Sequence, residues 1–132
     1  MKYTITGNST AHKEGTFTVK QNTISFGING NESTVPNPAE LLLGAFAACC
    51  LKNIERFSQL LKFDYDSASI EVVGDRQEKP TKIIKIKYLI YIKSGDPSLN
   101  INLLHKNIQR YGTIFNTLKA SCEIVGAIKV VE

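Results

Sequence analysis

Asn37-Pro38-Ala39-Glu40-Leu41-Leu42-Leu43-Gly44-Ala45-Phe46-Ala47-Ala48-Cys49-Cys50-Leu51 is the stretch on which the fold turns. It opens as a helix start: Asn37 suits the N-cap, Pro38 the first helical position, and Glu40 the third, as in a capping box. Apart from Gly44, neither Gly nor Pro interrupts the run to about Leu61. At 1.5 Å per residue that predicts a rod of roughly 35 Å. Its first half, Leu41–Leu51, is apolar on every side. Such a helix is buried all round, either at the centre of its own fold or against a second copy. Its second half is amphipathic.

Upstream of the helix, Lys2–Gly7, Thr16–Lys20 and Thr23–Phe26 read as short strands, separated by Gly7-Asn8, Gly15, Gln21-Asn22 and the Gly27–Gly30 stretch. Their Thr, Val, Ile and aromatic content with turn residues between predicts an antiparallel meander. The polar, proline-bearing segment Asn29–Pro38 reads as a loop. Downstream, Ser67–Val73 and Lys82–Lys93 are strand candidates across a polar loop containing Asp75–Pro80. The second alternates, with Ile84, Ile86, Tyr88, Ile90 and Ile92 on the core face. Ile101–Tyr111 reads as a helix with Gly112 as its stop, a short helical turn follows around Phe115–Lys119, and a last strand covers Glu123–Val131. The pattern is α+β in one domain, 1–132, an antiparallel sheet with a long buried central helix.

Composition narrows the function classes. The 132 residues are 42% apolar and 21% charged, as in an ordinary globular protein, and the formal net charge is +4. That excess is too mild to indicate nucleic acid, and the Lys85/Lys87/Lys93 face reads as a solvated strand face. No apolar run reaches the roughly 20 residues of a membrane span, and Met1 leads straight into strand-like sequence without a signal-peptide pattern. The expectation is a cytoplasmic protein with no membrane or nucleic-acid partner. In a reducing compartment the three cysteines are buried hydrophobes or redox chemistry, not a disulfide framework.

Helical geometry separates two of them. Neighbours in a helix lie about 100° apart, so Cys50 joins the apolar stripe Leu43, Phe46, Ile54, Phe57 and Leu61, where a thiol is inert. Cys49 shares its side with Lys52, Asn53 and Arg56 at i+3, i+4 and i+7. Nearby cations favour the nucleophilic thiolate, and spacing leaves a reactive Cys49 and a merely buried one both open. Cys122 reads as a small residue at an element boundary. His12 and His105 fall into no ligand pattern with the cysteines, so no metal and no cofactor are expected.

The run from Asn37 to Cys49 strongly resembles the central-helix signature of the OsmC/Ohr family, in which an Asn-Pro pair, an acidic residue and an Ala-rich run lead to a peroxidatic cysteine. Arg76–Pro80 with Lys82–Lys93 is similar to the same stretch of its YhfA-like branch, and the order of elements agrees across nearly the whole chain. The resemblance implies an intertwined homodimer with the central helices at its heart. It implies reduction of organic hydroperoxides by Cys49, with a sulfenic acid and then a disulfide as intermediates and an external thiol as final reductant. It also implies that Glu40 and an N-terminal cation help activate the thiol.

The sequence departs from the family pattern at three places. Gly112 stands where the resolving cysteine follows the penultimate helix. Lys13 is the cation closest to the family's Arg position, and it lacks the planar fork of Arg. Glu40 lies nine residues before Cys49, about 180° away on an ideal helix, which leaves it helix capping beside catalysis. Lys52, Arg56, Cys50 and Cys122 remain candidates for activating or resolving the thiol. Because of Gly112, the alternative is a non-catalytic dimer that binds a small apolar or acidic ligand.

Overall fold

The computed structural model describes residues 1–28, 30 and 34–132, and these form two compact units, Met1–Leu42 and Leu43–Glu132. The first unit carries an antiparallel meander of β1 (Thr6–Asn8), β2 (Gly15–Val19) and β3 (Asn22–Phe26). β1 is shorter than the sequence predicts, and residues Met1–Ile5 are exposed. Lys20 and Gln21, both at positive φ (47° and 69°), make the two-residue turn between β2 and β3. This is the backbone twist that a tight hairpin needs. Asn22 secures the turn by donating from Nδ2 to the carbonyls of Val19 and Lys20. The loop read over Asn29–Pro38 and the Gly27–Gly30 turn lie partly outside the described residues.

Helix α1 runs from Pro38 to Leu60, one residue short of the predicted end. Its start is the reciprocal box that the sequence announces. The Glu40 N–H donates to Asn37 Oδ1 at 2.8 Å, and the Asn37 N–H donates to Glu40 Oε1 at 3.0 Å. Within one chain the helix is buried on one face, not all round. Phe46, Cys50, Ile54 and Phe57 are buried, whereas Leu42, Gly44, Ala45 and Ala48 are exposed.

The second unit holds a second sheet in the order β4 (Ser67–Glu78), β5 (Thr81–Lys93), β6 (Glu123–Val131). β4 is five residues longer than predicted, because Gly74–Glu78 pairs with β5 instead of looping out. Lys79-Pro80, joined by a cis peptide, makes the turn. Asp75 pairs with Lys85 and Arg76 with Ile83, so a β-bulge leaves Ile84 without an opposite residue. The alternation flips there: Ile83 packs against the core and Ile84 is 40% exposed. Ile84 therefore does not share the face of Ile86, Tyr88, Ile90 and Ile92, all of which are buried. β4 and β5 are antiparallel, but β6 joins β5 in parallel. A parallel neighbour needs a long crossover, here built from α2 (Ile101–Tyr111) and α3 (Thr113–Lys119).

Asn100 caps α2, accepting the Leu103 N–H on its side-chain oxygen at 3.0 Å. Between the two helices stands Gly112, whose N–H donates to the Ile108 carbonyl and whose carbonyl accepts from Asn116. One core joins the buried face of α1 to Ile86, Tyr88, Ile90 and Ile92 of β5, Leu104 and Ile108 of α2, Phe115 of α3 and Ile128 of β6. Among the described residues no helix is long and apolar enough to cross a membrane.

Candidate thiol site

Cys49 sits on the fourth turn of α1, at the border of its buried face, and is half-buried. Two neighbours define its sulfur. The Asn53 amide donates from Nδ2 to the Cys49 carbonyl at 2.9 Å and faces Cys49 Sγ at 3.6 Å. On the crossover side stands Gly112, which is itself buried. A Cβ built on it would lie 3.2 Å from Cys49 Sγ, 3.1 Å from the Ile108 carbonyl and 3.0 Å from Phe115 Cβ. The backbone of Gly112, at φ −70° and ψ 122°, suits any residue. What favours glycine there is the sulfur and helix packing, not the dihedral.

Cys50 points into the core and is fully buried. Burial pushes its thiol up to about 12, and the neighbouring Cys49 adds to the rise. The phenol of Tyr88 is raised to about 12, by burial first and then by Cys50, against a lowering contact with Gln109. Tyr88 packs edge-on against Phe115 and hydrogen-bonds through its hydroxyl to Nε2 of His105, whose own pKa burial lowers. Gly126, opposite Tyr88 on β6, leaves the room for this ring, since a Cβ there would come within 2.5 Å of it. The Tyr88–His105 contact spans 17 positions, and only the inward alternation of β5 hints at it in the sequence.

The remaining candidates are placed as follows. Glu40 has its carboxylate at the N-cap of α1. Lys13 ends the turn before β2 in the first unit, its N–H donating to the Thr10 carbonyl. Lys52 is exposed, and the Arg56 guanidinium lies 5.2 Å over the Phe57 ring. Cys122 is half-buried at the end of α3, where its S–H donates to the Leu118 carbonyl at 3.3 Å. Among the described residues no three His, Cys, Asp or Glu side chains converge as a metal site. Asn53 is the residue whose contact with the sulfur spacing suggested without giving it a role.

A pH dependence follows from the buried protons. Cys50 and Tyr88 stay neutral in the fold to about 12, against 9.0 and 10.0 in the free groups. Between these values the unfolded chain binds fewer protons than the native one, so stability falls as pH rises. The urea midpoint is expected to decline from about pH 9 upward, and Cys50→Ala is expected to remove the first part of that decline. An equal decline in Cys50→Ala would refute it. His105 acts on the other side: its lowered pKa gives stability that is present above its free value and lost as pH falls from there through the lowered one.

Comparison with known proteins adds the lineage. No curated protein matches the chain in sequence. Among solved structures, an OsmC-like protein from Mycoplasma pneumoniae superposes with a TM-score of 0.89 at 19% identity, over 100% of this chain and 99% of that one. An organic hydroperoxide resistance protein OsmC from Legionella pneumophila gives 0.70 at 17%, over 97% and 98%. The organic hydroperoxide resistance protein OhrB of Bacillus subtilis gives 0.66 at 14%, over 98% of both chains. At such identities the likeness is one of fold. The family model described as OsmC-like protein matches residues 30–125, most of the sequence. With the α+β architecture and the Asn37–Cys49 helix in place, the chain belongs to the OsmC-like protein family.

Proposed function

We propose that this chain is a thiol-dependent hydroperoxide reductase in which Cys49 is the reacting group. The observation that carries the reading is the half-buried Cys49 sulfur beside the buried Asn53 amide, on the helix whose sequence carries the family signature. A redox or stress role fits the family, and the solved relatives named for organic hydroperoxide resistance favour this substrate class.

The chemistry balances in three steps. The Cys49 thiolate attacks the distal oxygen of R–O–O–H. The O–O bond breaks, sulfur is oxidised to the sulfenic acid, and RO⁻ leaves to take up a proton as the alcohol. With glycine at position 112, the sulfenic acid meets an external thiol, forming a mixed disulfide and water. A second thiol then displaces Cys49 as thiolate and carries the oxidation away as a disulfide. A cytoplasmic setting would supply such thiols.

The working form we propose is a homodimer. The apolar residues that one chain leaves exposed on α1, Leu42, Ala45 and Ala48, would then be covered by a second copy.

The test is hydroperoxide consumption with a dithiol donor, comparing the native protein with Cys49→Ser. Consumption is expected to fall to the protein-free rate in Cys49→Ser and to persist in Cys122→Ser. Full activity in Cys49→Ser would exclude the mechanism. Because Gly112 replaces the second cysteine, a non-catalytic binder of small apolar or acidic ligands is the competing reading. It is favoured if the native protein consumes no hydroperoxide.

A further inference from the structure

A second residue belongs to this site. Asn53 is 7% exposed, in the middle of α1 where asparagine is a poor helix former. An amide has two N–H groups. One is directed to the Cys49 carbonyl at 2.9 Å, and the same nitrogen lies 3.6 Å from Cys49 Sγ, a normal separation for a sulfur acceptor, whose radius exceeds that of oxygen. The chain carries its own control. Asn107 on α2 makes the same bond to the carbonyl four residues back, Leu103, at 2.9 Å. It is half-buried, and the residue four back is a leucine. Asparagine that merely satisfies a helix carbonyl thus looks like Asn107. Asn53 has in addition a sulfur in reach and a nearly complete exclusion of water.

We propose that Asn53 holds the Cys49 sulfur for reaction, donating one amide N–H to the thiolate while the other anchors the side chain on the Cys49 carbonyl. A donor aimed at a charged sulfur favours the ionised form. In a site with little water the effect is larger than at the surface. The other groups around the sulfur do not supply this. Gly112 brings no titratable group, and Cys50 on the same helix keeps its proton up to about 12. Lys52 is exposed and the Arg56 guanidinium rests on Phe57. The inference deepens the reductase reading and rests on Cys49 being its reacting group.

The experiment is the pH profile of iodoacetamide alkylation at Cys49, located by mass spectrometry, in the native protein, Asn53→Asp and Asn53→Ser. Aspartate keeps the shape but puts a carboxylate against the sulfur. Serine can still bond the carbonyl four residues back but is too short to reach the sulfur. The profile midpoint is expected to rise by about one pH unit in Asn53→Ser and further in Asn53→Asp. A structural role alone predicts a native profile in Asn53→Ser. Unmoved midpoints in whichever variants keep the native circular dichroism overturn the proposal. If both variants unfold, Asn53→Gln carries the same test, its longer amide displaced from the sulfur. Alkylation uses no peroxide, so a shifted profile beside absent hydroperoxide consumption keeps Asn53 and removes the reductase. The reverse pair of results does the opposite.

Discussion

Gly112→Cys closes a disulfide to Cys49 when the protein meets one equivalent of an organic hydroperoxide. The expectation comes from one contact. A Cβ on residue 112 falls 3.2 Å from Cys49 Sγ, and in a disulfide each Cβ lies about 3 Å from the far sulfur. The backbone at 112 already has dihedrals that cysteine adopts. Crowding opposes it mildly, because the Ile108 carbonyl and Phe115 Cβ stand 3.1 and 3.0 Å from the new Cβ and must each give by a few tenths of an ångström. The closed loop has about 60 residues, for which chain entropy predicts about 4 kcal/mol of stabilisation before strain. The free thiols are expected to fall by two, the mass by about two hydrogens, and a peptide map to show the 49–112 link. The urea midpoint is expected to rise on oxidation and return on reduction. Sulfenic acid trapped at Cys49 with no cross-link would show that the two positions do not meet in solution.

Phe46→Ala is expected to be the most damaging single truncation on the face of α1. Phe46 is fully buried, with its ring centroid 5.6 Å from Tyr88 and 5.5 Å from Phe115. It therefore joins α1 to β5 and to α3 at once. Removing a buried phenylalanine costs about 3–5 kcal/mol, a large part of the 5–15 kcal/mol that holds a typical domain together. Urea denaturation should show a midpoint lower by about 2 M, given slopes of roughly 1–3 kcal/mol per molar. The loss should also be partly shared with Phe115→Ala, because the rings are in contact. Strict additivity of the two, or a shift worth less than about 1 kcal/mol, would mean that the cluster does not carry the core.

Much of this architecture is legible in the chain because local signals decide it. Asn37, Pro38 and Glu40 start α1 at the predicted residue. The spacing of Phe46, Cys50, Ile54 and Phe57 marks its buried face. Ile101–Tyr111 and Glu123–Val131 need no adjustment. What escapes is pairing at a distance. Polar Asp75–Glu78 reads as loop, yet it is held by cross-strand partners, and the bulge that turns Ile84 outward arises in that pairing. The division into two sheets and the parallel docking of β6 on β5 have no periodicity of their own. At the site, helix spacing brings Asn53 to Cys49. No sequence rule brings Gly112, 63 positions later, against the same sulfur.

The parallel pairing of β5 and β6 also bears on assembly. β4 and β5 are joined by a two-residue turn, so their pairing is local. β6 meets β5 in register, Ile90 against Ile128, across the whole α2–α3 crossover. That is the long-range closure whose entropy slows folding. The wall that Gly112 presents to Cys49 is part of this crossover. The surroundings of the thiol thus depend on a closure made far along the chain.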